Sequence, residues 1–108
     1  MSVKKLEKRV WKSYFNSLSK PYMHKERTDY AEIRVFSNDI GAQPETQWLP
    51  LEGITYDDRD DLLEVMVEHL DHLVFHPEEI YVDETTDGHV MTLEIVRKDG
   101  VKEIIELR

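Results

Sequence analysis

The sequence predicts an α+β fold: an N-terminal amphipathic helix packed on a twisted, largely antiparallel sheet, or on a partly open small barrel, of five to seven strands. Three observations carry this prediction. Apolar residues recur at helical spacing through the first nineteen positions, the pattern switches to alternation from Ala31 onward, and strong turn signals divide the last third into an antiparallel meander. The expected organisation is one domain over 1–108, with a basic helix over 1–19 and an acidic, β-rich body over 30–108.

Val3, Leu6, Val10, Trp11, Tyr14, Phe15 and Leu18 fall on one helical face, and Lys4, Lys5, Lys8, Arg9 and Lys12 occupy the other side. Ser2 is a suitable N-cap, and Pro21 disfavours helical geometry at Lys20, which places the helix end near Ser19. A basic amphipathic helix also suits a membrane surface, with Trp11, Tyr14 and Phe15 inserted. A strand-rich remainder needs a cover, so the helix is read as packing on the sheet with its lysines solvated, and attachment to a membrane surface is not expected.

After a polar connector, Lys20 to Asp29, the residues Ala31, Ile33 and Val35 alternate with Glu32 and Arg34, and Asn38-Asp39-Ile40-Gly41 reads as a turn. The return segment, Ala42 to Leu51, contains Pro44 and Pro50, neither of which donates to a ladder. It is expected to be an edge strand, bulged or broken, anchored by Trp48, Leu49 and Leu51, with a bend at Gly53 before Ile54-Thr55-Tyr56. Residues 60–76 fit either a helix or two strands. Val65 and Val67, and the stop at Pro77, favour two strands turning at Glu68-His69. Glu79 to Glu84, then His89 to Arg97, then Val101 to Leu107 alternate cleanly, with turns at Thr85-Thr86-Asp87-Gly88 and Asp99-Gly100. Val101, Glu103, Ile105 and Leu107 share one face of the last strand.

The order Trp11, Gly41-Ala42-Gln43, Leu49-Pro50-Leu51-Glu52-Gly53-Ile54 with Tyr56-Asp57, Asp71-His72-Leu73, His76-Pro77, Ile80-Tyr81-Val82-Asp83-Glu84 and Asp99-Gly100 resembles an uncharacterised family, the bacterial domain of unknown function numbered 5335. The resemblance runs from about Leu6 to Arg108. It implies a single-domain bacterial protein and strands in the middle of the chain, and it carries no activity, cofactor or catalytic residue. His69 departs from the small residue that a tight hairpin favours.

Composition bounds function further. The chain has no cysteine, which removes disulfides, thiolate zinc sites and cysteine nucleophiles and suits a reducing compartment. No apolar run approaches the roughly 18 residues of a membrane span, and Met1 to Lys12 is too charged for the apolar centre of a secretory signal, so a cytoplasmic location is expected. Net charge is −9, from 14 basic and 23 acidic side chains. Residues 1–27 hold 8 of the basic and 2 of the acidic ones, or +6, which leaves 6 basic and 21 acidic, or −15, for residues 28–108. That distribution disfavours nucleic acid as a partner. A basic arm on an acidic body points instead to internal docking, self-association or a protein partner.

Candidate sites are few. His72 and His76 sit at i and i+4, on one helical face, or on one strand face with Val74 between them, so both could reach a divalent metal. They lack the glutamate that directly follows the first histidine in the metalloprotease motif. A small-ligand or divalent-metal sensor built on them is the alternative functional reading. Asp57-Asp58-Arg59-Asp60-Asp61 does not fit a calcium loop, because Arg59 and Leu62 stand where a ligand and the glycine belong. It reads as a solvated, capping loop and as a counter-surface for Lys5, Lys8 and Lys12. The sequence shows no glycine-rich phosphate loop, no nucleophile elbow and no convergent set of unlike catalytic groups. No cofactor is expected, and the principal reading is a non-catalytic protein-interaction module.

Overall fold

The computed structural model describes residues 2–37 and 41–108, with side chains for 3–37 and 47–108. The turn expected at Asn38-Asp39-Ile40 lies outside the described residues. The elements are β1 (Ser2–Leu6), a 3-10 turn (Lys8–Val10), α1 (Trp11–Met23), β2 (Tyr30–Ser37), β3 (Gly41–Asp57), β4 (Leu62–Val67), β5 (Leu70–Phe75), β6 (Pro77–Glu84), β7 (Val90–Arg97) and β8 (Lys102–Leu107). The strands lie in the order β1-β6-β7-β8-β2-β3-β4-β5, every neighbouring pair being antiparallel. The α+β class is therefore as expected, but among the described residues there are eight strands rather than five to seven, in an open sheet with β1 and β5 at its edges.

The additional strand comes from the N-terminus. Residues 2–6 are extended and pair with β6, from Ser2 opposite Glu84 to Leu6 opposite Ile80, so the helix covers Trp11–Met23 instead of 1–19. Helical spacing was a misleading guide here because Val3 is not on a buried stripe at all, being 71% exposed, while Leu6 is buried. Pairing satisfies the backbone of β6, and it brings Lys4 to Glu84 and Lys5 to Glu79, both at 3.0 Å. Long-range partners of this kind override local periodicity. At its other end α1 runs past Pro21 to Met23, because Tyr22 is drawn into the core and its hydroxyl donates to Asp29 at 2.6 Å. Only two helical residues follow the proline, consistent with the disruption its ring causes.

β3 is interior to the sheet, not an edge. It pairs with β2 over 41–50 and with β4 over 51–57, so each half has a strand on one side only. That handover explains how Pro44 and Pro50 are tolerated in a central strand. Register shifts at Ala31/Ile33, Ile33/Arg34 and Leu51/Gly53, and a left-handed Trp48 (φ 49°), bend the strand there. Helix α1 covers the open flank of the second half. Ser19 Oγ donates to the Ile54 carbonyl at 2.6 Å and accepts from the Ile54 N–H at 2.8 Å, standing in for a missing strand. The Trp11 indole donates to the Leu6 carbonyl at 3.0 Å and meets the Tyr56 ring edge-on at 5.1 Å. Trp11 and Phe15 are wholly buried, each worth about 1.5–3 kcal/mol of apolar transfer.

The middle of the chain is the β4–β5 hairpin, turning at Glu68-His69 with His69 in the left-handed region (φ 68°). Its inner face supplies Leu63, Val65, Val67 and Val74 to the core, opposite Ile33, Ile80, Leu93, Ile95 and Ile105. One residue, His76 (φ 54°), separates β5 from β6, and its carbonyl accepts from the Lys98 N–H at 2.9 Å. The chain thus crosses in a single step from edge strand β5 to β6, the second strand from the opposite edge, and the β3–β4–β5 arm folds over the larger sheet, where His72 of β5 meets Glu103 of β8. No helix among the described residues is long and apolar enough to cross a membrane.

Candidate functional site

The basic arm and the acidic loop face each other. Lys8 lies 3.6 Å from Asp61, Lys12 lies 3.8 Å from Asp58, and Lys5 donates to Glu79. Asp57 holds the turn itself, accepting from the backbone N–H groups of Arg59 and Asp60 at 2.9 and 3.3 Å, which lowers its pKa. Asp61 is the hub of the loop. Burial opposes its ionisation, but a hydrogen bond from Tyr56 at 2.6 Å, together with Lys98, His76 and Lys8, outweighs burial and brings its pKa down to about 2. Much of the charge identified in the sequence is thus satisfied within the chain, by exposed pairs that add little energy each.

His72 and His76 have different surroundings. His72 faces inward and its Nε2 lies 2.5 Å from Glu103 Oε1, whose carboxylate is 1% exposed and also receives Arg97 Nη1 at 3.2 Å. His76 leaves the strand in its left-handed corner and places Nδ1 3.4 Å from Asp61, largely in solvent. The strand geometry that would have put both imidazoles on one face stops at Phe75. Among the described residues no group of three or more histidine, aspartate or glutamate side chains is arranged to hold a metal ion.

Two further clusters were not singled out by residue type or spacing. The first is centred on Asp29, a buried carboxylate between α1 and the larger sheet. It accepts from Tyr22 Oη, from Arg27 Nε at 2.9 Å and faces His89 Nε2 at 3.3 Å. Burial, then the bond to Asp29, pushes the Tyr22 phenol up to about 12. An Arg27-x-Asp29 pair after a helix is a weak local signal, and its tie to His89 is invisible in the sequence.

The second cluster is the outer face of the β4–β5 hairpin. Strand alternation turns Leu62, Glu64 and Met66 of β4 and Asp71, Leu73 and Phe75 of β5 away from the core. Leu73 and Phe75 are 41% and 55% exposed, two of the few large apolar side chains left in solvent among the described residues. Glu64 lies beside them next to Asp71. Partial burial, then the charge of Asp71, raises its pKa, and no basic side chain pairs with either carboxyl among the described residues. The alternation of Leu73 and Phe75 with inward His72 and Val74 was the available signal.

A sequence model of a family of unknown function (DUF5335) matches residues 2–108. An uncharacterized protein from Aquifex aeolicus (strain VF5) is 38% identical to this chain over 109 residues, covering 100% of the chain and 94% of that relative. No solved structure is a significant match.

Proposed function

We propose, for a chain that belongs to the family of unknown function DUF5335, that it is a non-catalytic interaction module whose β4–β5 outer face takes a basic, apolar segment of a protein partner. One observation carries the reading: Leu73 and Phe75 stand exposed beside Glu64 and Asp71, two carboxyls that no basic side chain pairs with among the described residues. Exposed apolar area supplies the binding energy, and the unpaired negative charge selects the sign of the partner. A second copy of this chain is a poor occupant, because Lys4, Lys5, Lys8 and Lys12 of its basic segment already pair with carboxylates of their own chain.

The test uses the full chain and a synthetic peptide of alternating lysine and leucine, followed by amide correlation spectra. Saturable shifts should be confined to residues 62–75 and weaken with added salt. Replacing both Leu73 and Phe75 with serine should weaken binding at least about tenfold, and Asp71→Asn about threefold, the scale of interface anchors and rim charges. Shifts scattered over the surface, or an affinity indifferent to the double replacement, would overturn the reading. So would a dimer in sedimentation velocity that Phe75→Ser dissolves, since the face would then be a self-interface.

A further inference from the structure

A groove of about 610 Å³ runs between α1 and the β6–β7 hairpin, remote in sequence from the hairpin face discussed above. Its size lies within the range of small-molecule sites, about 300–1,000 Å³. One wall is apolar, with Leu18 and Pro21 from the helix facing Val90 from β7. At one end stand Arg27 and His89. Arg27 is held by Asp29, which is 6% exposed, and its Nη2 contacts His89 Nε2, so that ring nitrogen accepts and Nδ1 is the donor the imidazole can offer. Arg27 spends Nε and Nη2 on Asp29 and His89, which leaves Nη1 unpaired among the described residues. A guanidinium held in this way presents two N–H donors already oriented, so a carboxylate meets it without ordering a long side chain. Beside this donor pair stands an acceptor, the Asp87 carboxylate, whose Oδ1 already accepts from Thr85 Oγ1 and whose Oδ2 has no hydrogen bond among the described residues. Asp87 lines the same groove and is two residues from His89 across Gly88, so their Cα atoms are at most about 7.6 Å apart. Gly88 has φ +85° and no neighbour within 4 Å of where a Cβ would be, leaving the hairpin tip open between Asp87 and His89.

The groove therefore offers an oxyanion position, a cation position close beside it and an apolar wall. We infer that it binds a small zwitterion with an apolar side chain, the chemistry of a free aliphatic α-amino acid. The carboxylate meets Arg27 and His89, the ammonium meets Asp87, and the side chain lies against Leu18, Pro21 and Val90. A plain anion fits less well, because Asp87 and Glu84 also line the groove and would repel it. A plain cation fails on the opposite side, at Arg27.

The experiment titrates L-leucine into the full chain at concentrations up to about 20 mM, the weak end of small-ligand affinity. Three comparators each lack one element: isocaproate lacks the ammonium, leucinamide the carboxylate and glycine the side chain. Leucine should give saturable amide shifts confined to 13–22 and 84–90, with each comparator about tenfold weaker or worse. Asp87→Asn, at an exposed turn, should weaken leucine about tenfold and leave isocaproate unchanged. His89→Gln serves as the second variant. Absence of saturable shifts, a comparator that binds as tightly as leucine, or an Asp87→Asn protein with unaltered affinity overturns the inference. Neither result bears on the β4–β5 face, which is read from different residues.

Discussion

His72→Ala should cost this protein about 3–5 kcal/mol, a large part of its folding free energy, although no candidate ligand of the histidine is involved. Glu103 is 1% exposed on the inward face of β8, with one carboxylate oxygen 2.5 Å from His72 Nε2 and the other 3.2 Å from Arg97 Nη1. Removing the imidazole leaves Oε1 buried without a donor, which costs about 1–3 kcal/mol and more for a charged group. It also opens a hole between β5 and β8, so the cost falls in the range of about 3–5 kcal/mol found for breaking buried pairs. A domain of this size has about 5–15 kcal/mol in hand. With m of about 2 kcal/mol per molar, the variant's urea midpoint should fall by about 1.5–2.5 M. Replacing both residues with apolar side chains, His72→Leu with Glu103→Met, should recover most of the loss, since a well-packed apolar pair often matches a buried polar one. The assay is urea unfolding of the four proteins of the cycle. A His72→Ala loss below about 1 kcal/mol, or two single losses that simply add, would refute the argument that the pair fastens the β3–β4–β5 arm to the larger sheet.

Ser19→Ala should lower stability by about 1–2 kcal/mol, because the Ile54 N–H and carbonyl both lose their partner under the helix. Faster hydrogen exchange at the Ile54 amide, without change at Leu93, would locate the effect, and equal exchange at both would contradict it. Asp61 makes the acid limb steep. Its pKa is depressed from 3.8 to about 2, so the stability it contributes is present above about pH 4 and is lost as pH falls through about 2. After allowance for solvent screening that is about 1–2 kcal/mol. Unfolding measured at stepped pH should show a shallower acid limb in Asp61→Asn, and an unchanged slope would remove Asp61 as its source.

What the sequence made legible depends on how local the cause is. The β6–β7–β8 meander follows from alternation and from Gly88 and Gly100, both at positive φ, and the β4–β5 hairpin follows from Val65 and Val67 and the stop at Pro77. Placing Glu103 inward with Ile105 and Leu107 was also legible, though its partners were not, because His72 lies 31 residues away. β1 was hidden for the same reason. Nothing between Ser2 and Leu6 reveals that residues 80–84 lack a neighbour. The prolines of β3 pointed correctly to a strand with a vacant side and wrongly to a sheet edge, because the vacancy changes sides at Pro50. His72 and His76 looked equivalent until the left-handed corner at His76 separated them.

Charge segregation acts on this fold more through placement than through energy. The exposed pairs Lys4–Glu84, Lys5–Glu79, Lys8–Asp61 and Lys12–Asp58 are each worth at most about 1 kcal/mol, whereas Trp11 and Phe15 bury their full side chains. Apolar burial therefore holds the N-terminal segment down. β1 commits the arm to β6 and brings Lys4 and Lys5 to the carboxylates opposite them. Among the described residues Glu64 and Asp71 are thereby left without a basic partner, beside the apolar residues that the arm does not cover. Supplying a cation there, as Leu62→Lys on the same face, should lower the Glu64 pKa toward its ordinary value and weaken the lysine–leucine peptide together. If carboxyl titration moved while peptide affinity stayed constant, the negative charge of this face would have no part in selecting a partner.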